Sequence, residues 1–201
     1  MNSGINILDF NRFRELARPT SVHLDEGDTF NFIQESQDVF ILPAVGTYMF
    51  ARMCRSLIQP NADRFATRLL KGGYWYYDCN ENELITTDVD GIELLTSYPD
   101  AKFCHGIEKA LAYYTYARMM RDDGAMVTRA GSIQHNDAYG TRLAQNEKHA
   151  RYNDVMNAAE LYLNSCLLFL AAIRKAEGDN TCCGEKTQIR GHRAHIHAIG
   201  K

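Results

Sequence analysis

The residues best suited to chemistry lie near the end of the chain, where Cys182 and Cys183 precede His192, His195 and His197. Thiolate and imidazole are the ligands zinc prefers, and four of them around one ion make a closed structural site. The spacing matches no recognised zinc finger, and the flanking residues supply no outer layer to orient the imidazoles. The plainer reading of the same stretch is a basic tail carrying Lys186, Arg190, Arg193 and Lys201. His195 and His197, when protonated, would sit well beside phosphates or a partner's carboxylates.

Paired carboxylates are the next candidates. Asp88 with Asp90, or Asp122 with Asp123, could hold a divalent ion or exchange a proton, but Gly91 and Gly124 follow them directly. Aspartate before glycine is ordinary turn chemistry. Gly72-Gly73 belongs to neither a dinucleotide fingerprint nor a phosphate-binding loop. The chain also lacks a GxSxG elbow, an HExxH helix and a recognisable nucleophilic-cysteine motif. Neither enzymatic activity nor a cofactor is expected. The aromatic groups Tyr74–Tyr77 and Tyr113–Tyr116 could stack on single-stranded nucleic acid, yet only Lys109 and Arg118 lie near the second group. Tyrosine's enrichment at protein interfaces makes protein contact the better expectation.

These residues must be carried by a folded body. A chain of 201 residues with 45% hydrophobic and 23% charged residues can bury one sizeable core, so one domain with appendages is expected. A net charge of −3 argues against a surface that clings to nucleic acid throughout. Six cysteines without regular spacing point to a reducing compartment rather than a disulfide framework. The opening MNSGINILDFNRFREL lacks the pattern of a secretory signal, and the apolar run Cys166–Ile173 is too short to span a bilayer. Synthesis in a cytoplasm, with no membrane partner, is expected.

The pattern predicts a mainly α protein: a small helical bundle with a β-hairpin insertion, a long C-terminal helix and extended arms at both ends. Residues 1–27 are expected to be an arm with a helical piece over 10–17. The body is expected over 28–178 and the basic, histidine-containing tail over 179–201. Asp28 or Thr29 would cap the first body helix. Pro43 and Gly46 would break the chain before a helix over 47–58, and a third helix over 62–71 would end at Gly72-Gly73. The runs YWYY and LITT around Asn80-Glu81-Asn82 predict a hairpin over 74–87, followed by an extended connection over 88–102. Met126–Gln134 reads as a short strand or ordered loop. A long helix, or two in series, follows over 138–177, with Val155, Ala159, Tyr162, Cys166, Phe169 and Ile173 as its apolar stripe.

Between hairpin and long helix lies GIEKALAYYTYARMM, Gly106–Met120, with almost no polar face. Ile107, Ala110, Leu111, Tyr114 and Ala117 form one apolar side by helical spacing, leaving Tyr113, Tyr116 and Met120 beside it. Either these cover the hairpin and the long helix, or they contact a second copy of the chain.

Three stretches resemble the head-to-tail connector (adaptor, or head-completion) proteins of tailed bacteriophages, particularly the ring proteins of Bacteroides and crAss-like phages. They are FNFIQESQDVFILPAVGTYMFARM (Phe30–Met53), LLKGGYW (Leu69–Trp75) and GIEKALAYYTYARMM, followed by VTRAGSIQHND and a long helix. The resemblance covers about residues 28–178, although the connection over 88–103 is longer than the family's. It implies a structural virion protein: a ring of twelve copies under the portal that extends the DNA channel and offers an attachment surface to tail components. The implied partners are the portal, another neck or tail ring protein and the packaged double-stranded DNA, all at the capsid vertex and neck. On this reading Tyr113, Tyr116, Met120, Trp75 and Tyr77 form subunit contacts. Lys186, Arg190, His192, Arg193, His195, His197 and Lys201 dock on the portal or a ring. The alternative is a helical nucleic-acid-binding regulator that uses the basic tail.

Overall fold

The computed structural model describes residues 5–18, 25–60, 62–81, 83–86, 92–122, 125–128, 131–134 and 145–178. Its first helix, α1 (Phe10–Leu16), is capped by Asp9, whose carboxylate accepts the Arg12 N–H at 2.7 Å. The second, α2 (Glu26–Ser36), starts earlier than expected because Asp25 caps it, accepting from the Asp28 N–H at 3.0 Å. Such side-chain oxygens satisfy amides that have no partner inside the helix.

Pro43 does not break the chain. A π-helical turn, Gln37–Ile41, leads directly into α3 (Leu42–Val45), where Pro43 occupies the first turn and its missing N–H costs no helical bond. The break falls at Gly46, with φ of 84°. Helices α4 (Thr47–Ile58) and α5 (Arg64–Lys71) follow, the second capped by Asp63.

The expected hairpin is present as β1 (Gly73–Asp78) and β2 (Glu83–Thr86), with Trp75 opposite Thr86. The connection after it is not simply extended. It holds a short helix, α6 (Ile92–Ser97), and a third strand, β3 (Lys102–Cys104), which pairs with the other edge of β1 and sets Tyr74 opposite Phe103. An unpaired strand edge exposes backbone donors and acceptors that a returning segment can satisfy. On the inner face, Trp75 and Leu84 are buried, and the Trp75 ring lies 5.4 Å from that of Phe169.

Two glycine turns press against each other beneath this sheet. A β-carbon on Gly72 (φ +92°) would lie 2.7 Å from the Cys104 carbonyl oxygen, and one on Gly106 (φ +87°) 2.6 Å from the Lys71 carbonyl carbon. Glycine is required at both on two counts, the left-handed backbone and the absence of space. Helix α7 (Ile107–Asp122) begins there, and a hairpin of β4 (Ala125–Thr128) and β5 (Gly131–Gln134) follows. One unbroken helix, α8 (Gln145–Ala176), runs along α7.

By length and composition, residues His149–Ala176 would suffice to cross a membrane, which the shorter apolar run read from sequence did not suggest. Val155, Ala159, Cys166, Leu170 and Ile173 are nevertheless buried, most of them in the core shared with α7. Ile7, Leu8 and Phe13 belong to the same core, so residues 5–18, expected to be an arm, are part of the body.

Candidate functional site

The surroundings of α7 account for its missing polar face. It packs against α8, α2, α1, α5 and the π-helical turn, so nearly every side of the helix meets protein. Tyr114 is buried and stacked on Phe40, with centroids 4.3 Å apart and planes within 7°. Burial pushes its phenol well above the usual range, so it stays neutral. Tyr113 meets the Tyr162 ring edge-on at 4.9 Å, and both Tyr113 and Tyr116 are half-buried against the core. Met120 is half-buried as well. Of the sheet residues expected at a subunit contact, Trp75 is 5% exposed and serves the interior, and Tyr77 is half-buried under Lys175. Much of the surface that sequence assigns to a neighbouring copy is therefore covered inside the protomer.

Exposed apolar side chains occur at several places, among them Ile5, Phe30, Val39 and Phe103, and on two helices they fall into rows. Along the outside of α8, Asn157, Leu161, Asn164, Leu168, Ala171 and Lys175 are all exposed, at alternating steps of four and three. Leu161 is 68% and Leu168 52% exposed. Along the outside of α4, Tyr48, Ala51, Arg55 and Ile58 follow steps of three, four and three, with Tyr48 63% and Ile58 72% exposed. This is the spacing at which one helix presents a straight seam to another. Sequence reasoning missed both rows because the core stripe on the opposite side of each helix dominates the pattern. A search for a second seven-residue repeat within 157–175 would have found the first.

Beside the α4 row sits an ionic clasp. Arg52 Nε donates to Asp63 at 2.7 Å, while its two terminal nitrogens donate to the carboxylate of Glu177 at 2.7 and 2.8 Å. A groove of about 390 Å³ lined by Tyr48, Ala51, Arg52, Arg55, Ala62, Asp63 and Glu177 surrounds it. Desolvation opposes the charge on Asp63, but bonds from Arg52 and the Ala66 N–H prevail and hold its carboxyl below the usual range. The guanidinium thus bonds two of the protein's own carboxylates through all three nitrogens, and the clasp joins the end of α8 to α4 and α5.

His105 and Ser165 are the nearest approach to a catalytic pair among the described residues. Nδ1 lies 3.0 Å from Ser165 Oγ, but that hydroxyl donates to the Tyr162 carbonyl at 2.7 Å and accepts from the His105 backbone N–H at 3.1 Å. Its proton is committed to the helix backbone, and the Nδ1 contact then calls for a proton on the ring. Burial, with Lys109 nearby, lowers the pKa of His105 and keeps it neutral. The arrangement fastens β3 to α8.

Among the described residues, no group of three or more His, Cys, Asp or Glu is placed to hold a metal. Cys182, Cys183, His192, His195 and His197 lie outside the described residues, as do Lys186, Arg190, Arg193 and Lys201. Asp88, Asp90 and Asp123 lie outside them too.

No curated protein and no solved structure matches the chain. A family model described as a family of unknown function, DUF6712, matches residues 65–187, which takes in most of α5, the sheet, both glycine turns, α7 and α8. With more than half its length matched, the chain belongs to the DUF6712 family.

Proposed function

We propose that the protein is a structural subunit of a head-to-tail connector ring, docked on the portal of a tailed bacteriophage and assembled from about twelve copies, the number its resemblance to such proteins implies. The ring would extend the DNA channel and present an attachment surface to the next neck or tail ring. The subunit is structural rather than catalytic, needs no cofactor or membrane, and is made in the host cytoplasm before joining the virion. The single observation that carries this reading is the pair of exposed helical seams, Leu161/Leu168 on α8 and Tyr48/Ile58 on α4.

Closed rings need heterologous contacts, in which one patch meets a different patch on the neighbour. Two unlike seams with the same spacing meet that requirement, and burying one leucine or isoleucine contributes about 1.5–3 kcal/mol. In this arrangement α8 of one copy lies along α4 of the next. The interface centres on Leu161, Leu168, Tyr48 and Ile58, with Tyr113, Tyr116 and Met120 contributing only the part of each ring or chain left uncovered. The basic tail, with Lys186, Arg190 and Arg193, docks on acidic surface of the portal or an adjacent ring.

Two variants test the contact, Leu161→Ser with Leu168→Ser in one chain and Tyr48→Ser with Ile58→Ser in another. Each alone is expected to remain a folded monomer that fails to form rings on the portal. Mixed together they retain one intact seam pair and should give dimers without rings. Rings from either variant alone would sink the proposal. Salt-sensitive DNA binding lost on removing the tail, with no portal binding at all, would favour the nucleic-acid regulator.

A further inference from the structure

We infer that Cys104 and Cys166 are a latent disulfide, closed by a peroxide and reopened by thiols, which ties the β3–α7 turn to the middle of α8. The inference stands on the geometry of this pair and not on the assembly proposed above.

Both side chains are fully buried, and their sulfurs are 3.6 Å apart, bridged by a thiol hydrogen bond. The neighbouring residues are paired as well, since the His105 N–H donates to Ser165 Oγ at 3.1 Å. Two consecutive positions of β3 and its turn thus lie beside two consecutive positions of α8. On the far side the turn is wedged at Gly106 against Lys71, where no β-carbon fits. The sulfurs are held facing each other from both sides. A disulfide needs them at about 2.05 Å, so its formation draws the two sulfurs inward from their present 3.6 Å.

The chemistry balances with hydrogen peroxide as oxidant, a small molecule suited to reach buried sulfurs. The Cys104 thiolate sulfur attacks one peroxide oxygen and the O–O bond breaks. Hydroxide leaves and takes up the proton Cys104 gave away, so Cys104 becomes a sulfenic acid and one water forms. The Cys166 sulfur then attacks the Cys104 sulfur. The S–O bond breaks, and the hydroxyl departs as a second water with the proton of Cys166. Two thiols are oxidised by two electrons and one peroxide is reduced. Cys104 is the group suited to attack first. Its ionised sulfur accepts from the Cys166 S–H, which outweighs burial, and the Gly106 N–H adds a second donor, so its pKa lies below the usual thiol range. Burial holds the Cys166 thiol protonated.

The bond would close a loop spanning 62 positions. A cross-link over a loop of that length restricts the unfolded chain and is expected to raise Tm on the order of 10 °C.

The test uses the full chain carrying Cys79→Ser, which removes an exposed thiol. The folded protein is treated with hydrogen peroxide, denatured, alkylated and mapped by mass spectrometry. The expected result is a linked peptide pair containing Cys104 and Cys166, about 2 Da lighter than the two free peptides. It should be reversed by dithiothreitol and accompanied by the rise in Tm. Cys104→Ala and Cys166→Ala should each abolish both signals. Recovery of Cys104 and Cys166 as alkylated free thiols, at a peroxide dose that oxidises Cys79 in the parent chain, would overturn the proposal. So would a linked pair whose formation leaves Tm unchanged or lowers it.

Discussion

Arg12 Nε donates to Glu108 Oε2 at 3.0 Å, joining α1 to the first turn of α7 across 96 positions of sequence. The carboxylate is buried, whereas the guanidinium is partly exposed and also holds Glu15. Together with Phe13, this pair makes the N-terminal helix a layer of the body rather than a free arm.

Arg12→Ala leaves Glu108 buried without its charged donor and is expected to destabilise the fold by about 1–3 kcal/mol. Glu108→Gln keeps the shape, removes the charge and should cost less. The pH dependence has a definite sign. Burial raises the Glu108 pKa above its ordinary 4.5 even against the pull of Arg12. Its contribution is therefore full below that value and is lost as pH rises through the folded value. Urea midpoints from about pH 5 to 8 should shift in favour of Glu108→Gln relative to wild type as pH rises. The opposite trend would mean that Arg12 outweighs burial.

Gly106→Ala tests the contact between the two glycine turns. Its β-carbon would meet backbone of Lys71 rather than a movable side chain, and the left-handed φ adds strain. A loss on the order of 3 kcal/mol or more is expected from strain and displacement together, read as a fall in urea midpoint. Gly178→Ala is the control, since its φ is also positive but nothing lies within 4 Å of the added carbon. Equal losses at the two positions would show that φ alone, and not the close approach, sets the cost.

Phe169→Ala and Leu168→Ser separate core from surface on adjacent residues of α8. Phe169 is fully buried against Trp75, so its truncation should cost about 3–5 kcal/mol. Leu168 is 52% exposed, and its replacement should leave the monomer within about 0.5 kcal/mol of wild type. A large loss at Leu168 would place that side chain in the protomer's own core and remove it from any seam.

The helices of the body were readable because their signals are local. Gly46 and Pro60 bracket α4, Gly72 ends α5, and the apolar stripe of α8 repeats at helical spacing. The hairpin was equally plain in its aromatic and β-branched runs. The third strand was not, because Lys102–Cys104 is too short to show a period and is held by pairing to β1 rather than by its own composition. Pro43 misled in the same way, since a π-helical turn ahead of it leaves no bond for its nitrogen to break. The tyrosines of α7 stand out in the sequence, which leaves open what they meet. Whether Tyr113 faces Tyr162 or a second copy depends on helix-to-helix contacts that one helix's sequence does not specify. Conversely, Leu161 and Leu168 were visible as residues but hidden as a surface, because an apolar residue on a core helix reads by default as core.

The proposed ring is tested most directly by electron microscopy of the purified protein mixed with the portal protein that the proposal pairs it with. Twelvefold rings seated on the portal, with α8 of each subunit running along α4 of the next, are the predicted result. A protein that stays monomeric beside intact portals, or that assembles with the Leu161–Leu168 row facing solvent, would contradict it.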